Sequence, residues 1–160
     1  MFESEMVSFL ESGCALIVGT VGADGTPLAT RGWGITVVPG DDAGRLRLLL
    51  DGEDAATRHN VQPGSPIAIT ACCVSTLRSQ QLKGRVVSVE ECDVRDRARA
   101  RADRYCDAFY DDILHTDGTP RSLTNRITPA RYFACTVAVD EIYDQTPGPA
   151  AGSRVGVAGP

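Results

Sequence analysis

Apolar residues recur at every second position, or continuously, in several short stretches of this chain, and turn residues separate the stretches. Both patterns are typical of β-strands, whose side chains alternate between the two faces of a sheet. Strands are predicted at residues 14–21, 28–38, 45–50, 65–74, 77–90 and 131–143. The first and fourth of these are apolar on both alternating faces, which predicts strands that are covered on both sides.

Helical periodicity interrupts this β pattern in three places. Helices are predicted over 3–12, 54–61 and 92–114. Gly13 ends the first, and Asp51 or Asp54 caps the second. The third carries one apolar stripe at steps of three and four, and its opposite face mixes charges of both signs, as is typical of a solvated helix face. Residues 115–129 are predicted to form a loop.

The order of these elements predicts a mainly β fold. Its connections are too short for repeated βαβ units, so we expect a β-barrel of about six strands with one long and two short helices. Residues 1–144 would form a single domain. The Pro/Gly-rich tail at 145–160 would be disordered or would lie against a neighbour.

Composition narrows the functional classes. The net charge of −5 argues against a basic face for nucleic acid. No apolar run approaches the roughly 20 residues that a membrane-spanning helix needs, and the acidic N-terminal residues differ from the basic start of a secretory signal. We therefore expect a cytoplasmic protein with no nucleic-acid or membrane partner.

The six cysteines lie at 14, 72, 73, 92, 106 and 135, and none forms a Cys-x-x-Cys pair. Neither His59 nor His115 lies at metal-ligand spacing from a cysteine, so no metal site is predicted. Most of the cysteines lie in apolar runs, which predicts buried, reduced thiols.

The stretch 77–84 carries unusually many hydrogen-bonding side chains for a strand with apolar flanks. Such a strand faces either water or a ligand. Together with Arg58 and His59 on the second helix, it suggests a site for an anionic, ring-bearing ligand. The alternative for Arg58 and His59 is a solvated polar face.

The second strand contains two glycines, Gly32 and Gly34, which weaken a strand and therefore need a reason. A flat ring lying on the strand would provide one, and a barrel corner or bulge would provide another. Trp33 between them either packs in the core or at a dimer interface, or stacks on a ligand.

Motifs for catalysis by the protein's own side chains are absent. The sequence has no phosphate-binding Gly-rich loop, no Gly-x-Ser-x-Gly and no pair of carboxylates in position for acid–base work. A redox cofactor that performs the chemistry itself remains compatible with this pattern.

Four segments, in this order, resemble the FMN-binding split barrel of the pyridoxamine 5′-phosphate oxidase-like superfamily: Asp-Gly-Thr-Pro at 24–27 leading into 30–33, then 56–60, 77–84 and 143–149. The resemblance implies a homodimer with FMN in clefts between the subunits. It also implies an oxidoreductase acting on an unknown small molecule. The residues that it implies as cofactor contacts are Thr30, Arg31, Gly32, Trp33, Thr57, Arg58, His59, Ser79, Gln80, Gln81 and Lys83.

The sequence also departs from the oxidase proper. Gly34, Ile35 and Thr36 replace a lysine beyond the second-strand arginine, His59 replaces the lysine of a phosphate-binding Arg-Lys pair, and the C-terminal substrate residues have no counterpart. These departures argue against pyridoxamine phosphate as the substrate.

Other ligands and roles stay open. The deazaflavin F420 is a variant of the same interpretation. The alternative function is a non-enzymatic flavin, F420 or haem binding module or sensor, in which His59, His115 or a cysteine would be the axial ligand of a haem. A barrel that has lost its ligand and acts as a structural dimer is the third interpretation.

Overall fold

The computed structural model of the chain describes residues 2–40, 44–92 and 97–156, which form a closed barrel of six antiparallel strands with a seventh strand outside it. The strands are β1 Ala15–Val21, β2 Pro27–Val37, β3 Arg45–Asp51, β4 Pro66–Cys72, β5 Ser79–Glu91, β6 Tyr132–Asp144 and β7 Arg154–Gly156. Their order is β3-β2-β1-β4-β5-β6, and pairing of β3 with β6 closes the barrel. The mainly β barrel and its six strands are as predicted.

In the described part of the chain, four helices surround the barrel: α1 Ser4–Leu10, α2 Ala55–Asn60, α3 Arg97–Asp117 and α4 Arg121–Thr124. The predicted start of the long helix lies partly outside the described residues, at 93–96. The prediction of a loop over 115–129 is wrong in part, because α3 continues to Asp117 and α4 runs into a 3₁₀ turn at Asn125–Ile127. In the tail, β7 pairs with β6.

The barrel interior is filled by the inward side chains of each strand. Alternation is clear in β5, where Leu82 and Val86 are buried and Lys83 and Arg85 are exposed. The fully buried aliphatic residues Leu16, Val18, Leu46, Leu48, Leu50, Ile69 and Val137 come from four different strands. Because this interior is apolar and continuous, any polar site must lie on the barrel's outer face or at its ends.

The outer face of β1 is not covered within the chain. Ile17 is 47% exposed and Val21 is 41% exposed. The prediction that this strand is covered on both sides is therefore wrong for the single chain. Its apolar outward residues face an open surface, whereas its inward residues Leu16 and Val18 are completely buried.

The two glycines of β2 serve the barrel itself. The register between β2 and β3 shifts between Gly32 and Ile35, and Gly34 has a φ of +136°, a conformation that L side chains rarely adopt. A Cβ on Gly32 would come within 2.9 Å of Leu16 Cβ. The bulge therefore explains Gly34, and close packing against Leu16 explains Gly32. The bulge also interrupts the alternation that would place Trp33 and Ile35 on one regular strand face.

Candidate functional site

A broad hollow of about 1150 Å³ lies on the outer face of β1, β2, β4 and β5. We call it the outer hollow. The antiparallel register aligns Ala29, Gly19, Ala68 and Lys83 in one row across these four strands. The first three have almost no side chain, so the row is flat as far as Lys83. A flat apolar surface of this kind suits a planar ring.

The neighbouring row carries the polar groups. It runs from Arg31 on β2 through Ile17 and Thr70 to Gln81 on β5. Gln81 Nε2 donates a hydrogen bond to Thr70 Oγ1 at 3.2 Å. Three residues predicted for the site, Arg31, Gln81 and Lys83, therefore lie on the same outer face in adjacent rows.

Arg31 is held under helix α3. Its guanidinium carbon lies 5.2 Å from the ring centre of Phe109 and 6.0 Å from that of Trp33. Within the described residues its Nη1 is buried and has no hydrogen-bond partner. A buried donor without a partner is costly, so contact with an acceptor atom would stabilise this nitrogen. Trp33 itself is only 4% exposed, in agreement with the core-packing alternative.

One end of the outer hollow is charged. Lys83, Arg85 and Arg154 face Asp140 and Glu141 there. Arg154 Nη1 lies 3.4 Å from Glu141 Oε1, and Lys83 Nζ lies 4.6 Å from the ring centre of Tyr143. The cations exceed the carboxylates by one, so this end accommodates an anionic group.

At its other end the outer hollow adjoins the β1–β2 turn and α2. Asp54 caps α2: its Oδ1 accepts from the Thr57 backbone N–H at 3.0 Å, and its Oδ2 accepts from the hydroxyls of Thr57 at 2.6 Å and Thr30 at 3.1 Å. Burial raises the pKa of Asp54, but these hydrogen bonds outweigh burial and leave the pKa below its ordinary value. Asn60 donates to Thr20 Oγ1 at 3.2 Å, so both ends of α2 are tied to the barrel wall.

The three predicted cofactor contacts on α2 point in different directions. Thr57 is completely buried. Arg58 forms an ion pair with Glu91, which lowers the pKa of that carboxyl, and its guanidinium carbon lies 4.9 Å from the ring centre of Phe133. His59 is exposed and lines a smaller hollow beside the β1–β2 turn. The structure thus brings Thr30 and Thr57 together through Asp54 but separates Arg58 from His59.

The predicted site strand is divided between the interior and the outer face. Ser79 and Gln80 are each 7% exposed, and only Gln81 and Lys83 among the predicted residues of β5 are accessible on the outer face. Ser79 is held by the tail, because its N–H donates to Thr146 Oγ1 at 3.0 Å and its carbonyl accepts from the Gln145 N–H at 2.9 Å. The side-chain oxygen of Gln80 is buried without a partner among the described residues.

Sequence reasoning missed the small residues that make the outer hollow flat. Gly19, Ala29 and Ala68 lie on three different strands, and nothing in the neighbouring sequence distinguishes any of them as a site residue. A signal was present, since each occupies the outward position of its strand. Only the strand register shows that the three positions are adjacent.

Within the described residues, no group of three His, Cys, Asp or Glu side chains is arranged to hold a metal ion. All six cysteines lie in the described part of the chain and none is joined in a disulfide. Cys14, Cys106 and Cys135 are buried as predicted, and the other three are half-buried. The described helices include none that is both long and apolar enough to cross a membrane.

Neither the protein-family models nor the curated proteins include a match to this chain. Solved structures do match. HupZ of Group A Streptococcus superposes with a TM-score of 0.54 at 16% identity, over 95% of this chain and 100% of the other. A putative pyridoxamine 5′-phosphate oxidase from Lactobacillus delbrueckii gives a TM-score of 0.52 at 20% identity, over 89% and 93% of the two chains. An F420 reductase gives 0.51 at 18% identity, over 84% and 93%.

The chain has the fold of the pyridoxamine 5′-phosphate oxidase-like proteins. The resemblance predicted from the sequence is confirmed at this level. At 16–20% identity, the likeness shows the fold alone.

Proposed function

We propose that this split-barrel protein is an FMN-binding flavoprotein, an oxidoreductase that acts on a small molecule. The observation that carries the proposal is the outer hollow, whose flat row of small residues lies beside the row that begins at Arg31, where the guanidinium Nη1 lacks a partner among the described residues. A planar ring with carbonyl acceptors at one edge meets both requirements at once.

Outward-facing residues of the flat row and of the row beside it each have a role in this proposal. Gly19 and Ala68 leave room for the ring, Arg31 donates to an acceptor on it, and Gln81 orients it through a side-chain amide already held by Thr70. The cations at the charged end of the outer hollow, including Lys83, attract an anion. A bound flavin supplies the hydride transfer, and the protein supplies position and electrostatics.

We also propose that the protein is a homodimer in which the partner subunit covers the outer hollow. Val21 lines the outer hollow, Ile17 lies in the row beside it, and both are exposed in the single chain. A ligand on an uncovered sheet face would remain half in water, so a second surface is needed to exclude solvent from the ring. The cytoplasmic location belongs to the same proposal and is tested by cell fractionation.

Filling the flat row tests the site directly. The Ala68→Leu variant adds bulk to the row, and the Ala100→Leu variant adds the same bulk at an exposed position of α3. We expect the wild-type protein and Ala100→Leu to retain an FMN spectrum after desalting, and Ala68→Leu to bind at least tenfold more weakly in a fluorescence titration. Equal affinity in all three proteins would show that FMN binds elsewhere.

The same preparation decides between ligands and between roles. If the wild-type protein does not retain FMN but binds F420, then F420 is the cofactor. A Soret band would indicate haem. Reduction of the bound flavin by a nicotinamide nucleotide, followed by turnover with an added acceptor, supports an enzyme. A flavin that stays oxidised with every donor tested supports a binding module.

A further inference from the structure

Two cysteines, Cys14 and Cys73, lie just beyond the last pair of the β1–β4 ladder at one end of the barrel. Ala15 and Cys72 are the last pair of the β1–β4 ladder at this end, so one further step along both strands sets Cys14 opposite Cys73. Directly opposed residues of antiparallel strands have Cα atoms about 4.5–5.5 Å apart, which lies within the range that a disulfide spans.

The side chains of this pair point to the same side of the sheet. Leu16 and Ala71 are opposed in the ladder and are both completely buried in the barrel. Cys14 and Cys73 lie two residues further along these strands, where side-chain direction repeats. In agreement, Cys14 is 3% exposed within the core, and Cys73 is half-buried and packs against the same core.

The two thiols have different surroundings. Cys14 Sγ donates to the Phe9 carbonyl at 3.2 Å, and the Cys14 carbonyl accepts from the Tyr105 hydroxyl at 2.8 Å, so this residue is fixed in the core. Cys73 opens the β4–β5 turn and its Sγ lies 3.4 Å from Ser75 Oγ.

These surroundings change the acidity of the two thiols in opposite directions. Hydrogen bonds from the Ser75 and Thr76 side chains lower the pKa of Cys73. Burial raises the pKa of Cys14. The more accessible thiol, Cys73, is therefore also the one that ionises more readily, whereas the Cys14 thiol is buried and favours its protonated form.

We propose that Cys14 and Cys73 form a reversible, peroxide-sensitive dithiol, with Cys73 as the attacking residue and Cys14 as the resolving residue. The Cys73 thiolate attacks one oxygen of a hydroperoxide, the O–O bond breaks, and Cys73 becomes a sulfenic acid. The other oxygen leaves as hydroxide or alkoxide and takes up a proton from solvent. Cys14 sulfur, on losing its proton, then attacks the Cys73 sulfur. The S–S bond forms, the S–O bond breaks, and water leaves. Two thiols lose two electrons in total, and hydrogen peroxide is reduced to two waters.

The disulfide would reinforce a contact that already exists. Arg78, in the turn that Cys73 opens, lies 2.9 Å from Glu5 and 4.8 Å from the ring centre of Phe9 on α1. Oxidation would lock this turn to the start of β1. The turn leads directly into β5, which carries Gln81 and Lys83. In a reducing compartment the bond would be transient and would be reversed by thiols.

The test is to treat the full chain with hydrogen peroxide, block the remaining thiols and map the peptides by mass spectrometry. We expect a Cys14–Cys73 cross-link within one chain, an intact mass lower by two hydrogens, and reversal by dithiothreitol. Cys72→Ser is the matched control and should still form the cross-link. Cys73→Ser should form none, and Cys14→Ser should leave a sulfenic acid at Cys73 that dimedone labels.

Several results would overturn the proposal. One is a bond between Cys72 and Cys73, or between Cys14 and Cys72, as the main product. Another is a wild-type protein that keeps all thiols at peroxide concentrations that oxidise a small thiol such as glutathione. Peptide mapping of the wild type decides the matter even if Cys14→Ser fails to fold, and circular dichroism identifies that case.

Discussion

Asp54 joins three parts of the molecule through one carboxylate. It caps α2, holds the buried Thr57 hydroxyl and bonds to Thr30 on β2. Loss of a capping side chain costs about 0.5–2 kcal/mol of stability. We expect Asp54→Ala to lose this amount or slightly more, because two hydroxyls also lose their acceptor, and Asp54→Asn to lose less because asparagine is a good cap. Urea unfolding of the three proteins at neutral pH measures the difference. Equal stabilities would show that the carboxylate adds nothing to the fold.

The same carboxylate predicts a pH dependence. Its pKa is lowered in the folded state, so the unfolded chain binds its proton more tightly than the folded chain does. The stability from this group is therefore fully present above its ordinary pKa of about 4 and is lost as the pH falls below that value. We expect the stability advantage of the wild type over Asp54→Asn to shrink in urea titrations carried from neutral pH to pH values below about 4. An advantage that stays constant with pH would contradict the assignment.

Gly32 has a tightly packed environment that a methyl group would disturb. Its added Cβ would lie 2.9 Å from Leu16 Cβ and 3.2 Å from Leu48 Cδ1, inside the barrel. Overpacking of this kind costs about 1–3 kcal/mol, and we expect Gly32→Ala to be destabilised by that amount in denaturant unfolding. Gly19→Ala is the control, since its nearest neighbour would be Ala68 Cβ at 3.9 Å. If both variants unfold at the same denaturant concentration, Gly32 is not needed for close packing.

At the scale of elements, α2 is linked to the end of β5 by the ion pair between Arg58 and Glu91. Both side chains are substantially exposed, so the pair contributes less than about 1 kcal/mol to folding. Its importance would be functional, because Arg58 must leave Glu91 before it can bind a phosphate. We expect Arg58→Ala to weaken FMN binding about tenfold with little change in stability. Glu91→Ala should leave FMN binding unchanged or strengthen it.

Riboflavin, which lacks the phosphate, is the control ligand for this pair of variants. If Arg58 contacts the phosphate, Arg58→Ala should have no effect on riboflavin affinity measured by the same fluorescence titration. An equal loss for both ligands would mean that α2 has shifted, and no loss for either would remove Arg58 from the site.

Most elements could be predicted because their signals are local. Asp24-Gly25 between two apolar runs marks the β1–β2 turn, and alternation along 77–90 marks β5. The missed elements lack such signals. Strand β7 has three residues in a Pro/Gly-rich tail and depends on pairing with β6, and α4 is a single short turn of helix after Pro120. Tertiary contacts, rather than local preference, produce both.

The candidate site was only partly predictable for a related reason. Period-2 alternation along β5 separates Gln81 and Lys83 from Gln80, so the outward pair follows from the sequence once the inward face is known. The ion-pair partner of Arg58 cannot be predicted in this way, because Glu91 lies 33 residues further along the chain. The flat row likewise depends on register across three strands, which a single sequence does not encode locally.

At the scale of the whole molecule, closure of the barrel removes the sheet edges but leaves one apolar face open. The pairing of β3 with β6 closes the six-stranded sheet into a barrel. The exposed apolar surface therefore lies on the faces of the strands and not at a sheet edge. Exposed apolar patches of this kind mark interaction sites more often than scattered single residues do. A second copy of the chain, seated on this face, would cover Ile17 and Val21 in both subunits.

A charge placed on this face tests the dimer. Ile17→Glu would bury a carboxylate without a partner in the proposed interface, and we expect it to weaken the dimer at least tenfold, or by about 1.4 kcal/mol. Sedimentation equilibrium should give a wild-type mass near twice the 17.0 kDa of the chain and a variant mass that falls toward the monomer on dilution. Leu123→Glu is the matched control, because Leu123 is 51% exposed, similar to the 47% of Ile17, but lies on α4 away from the outer hollow. A monomeric wild type, or two variants that dimerise equally well, would mean that the outer hollow is covered by another surface or stays open to solvent.

FMN affinity measured on the same samples separates these cases. If the partner subunit excludes water from the ring, Ile17→Glu must weaken cofactor binding as it weakens the dimer, whereas an unchanged affinity would place the whole site within one chain.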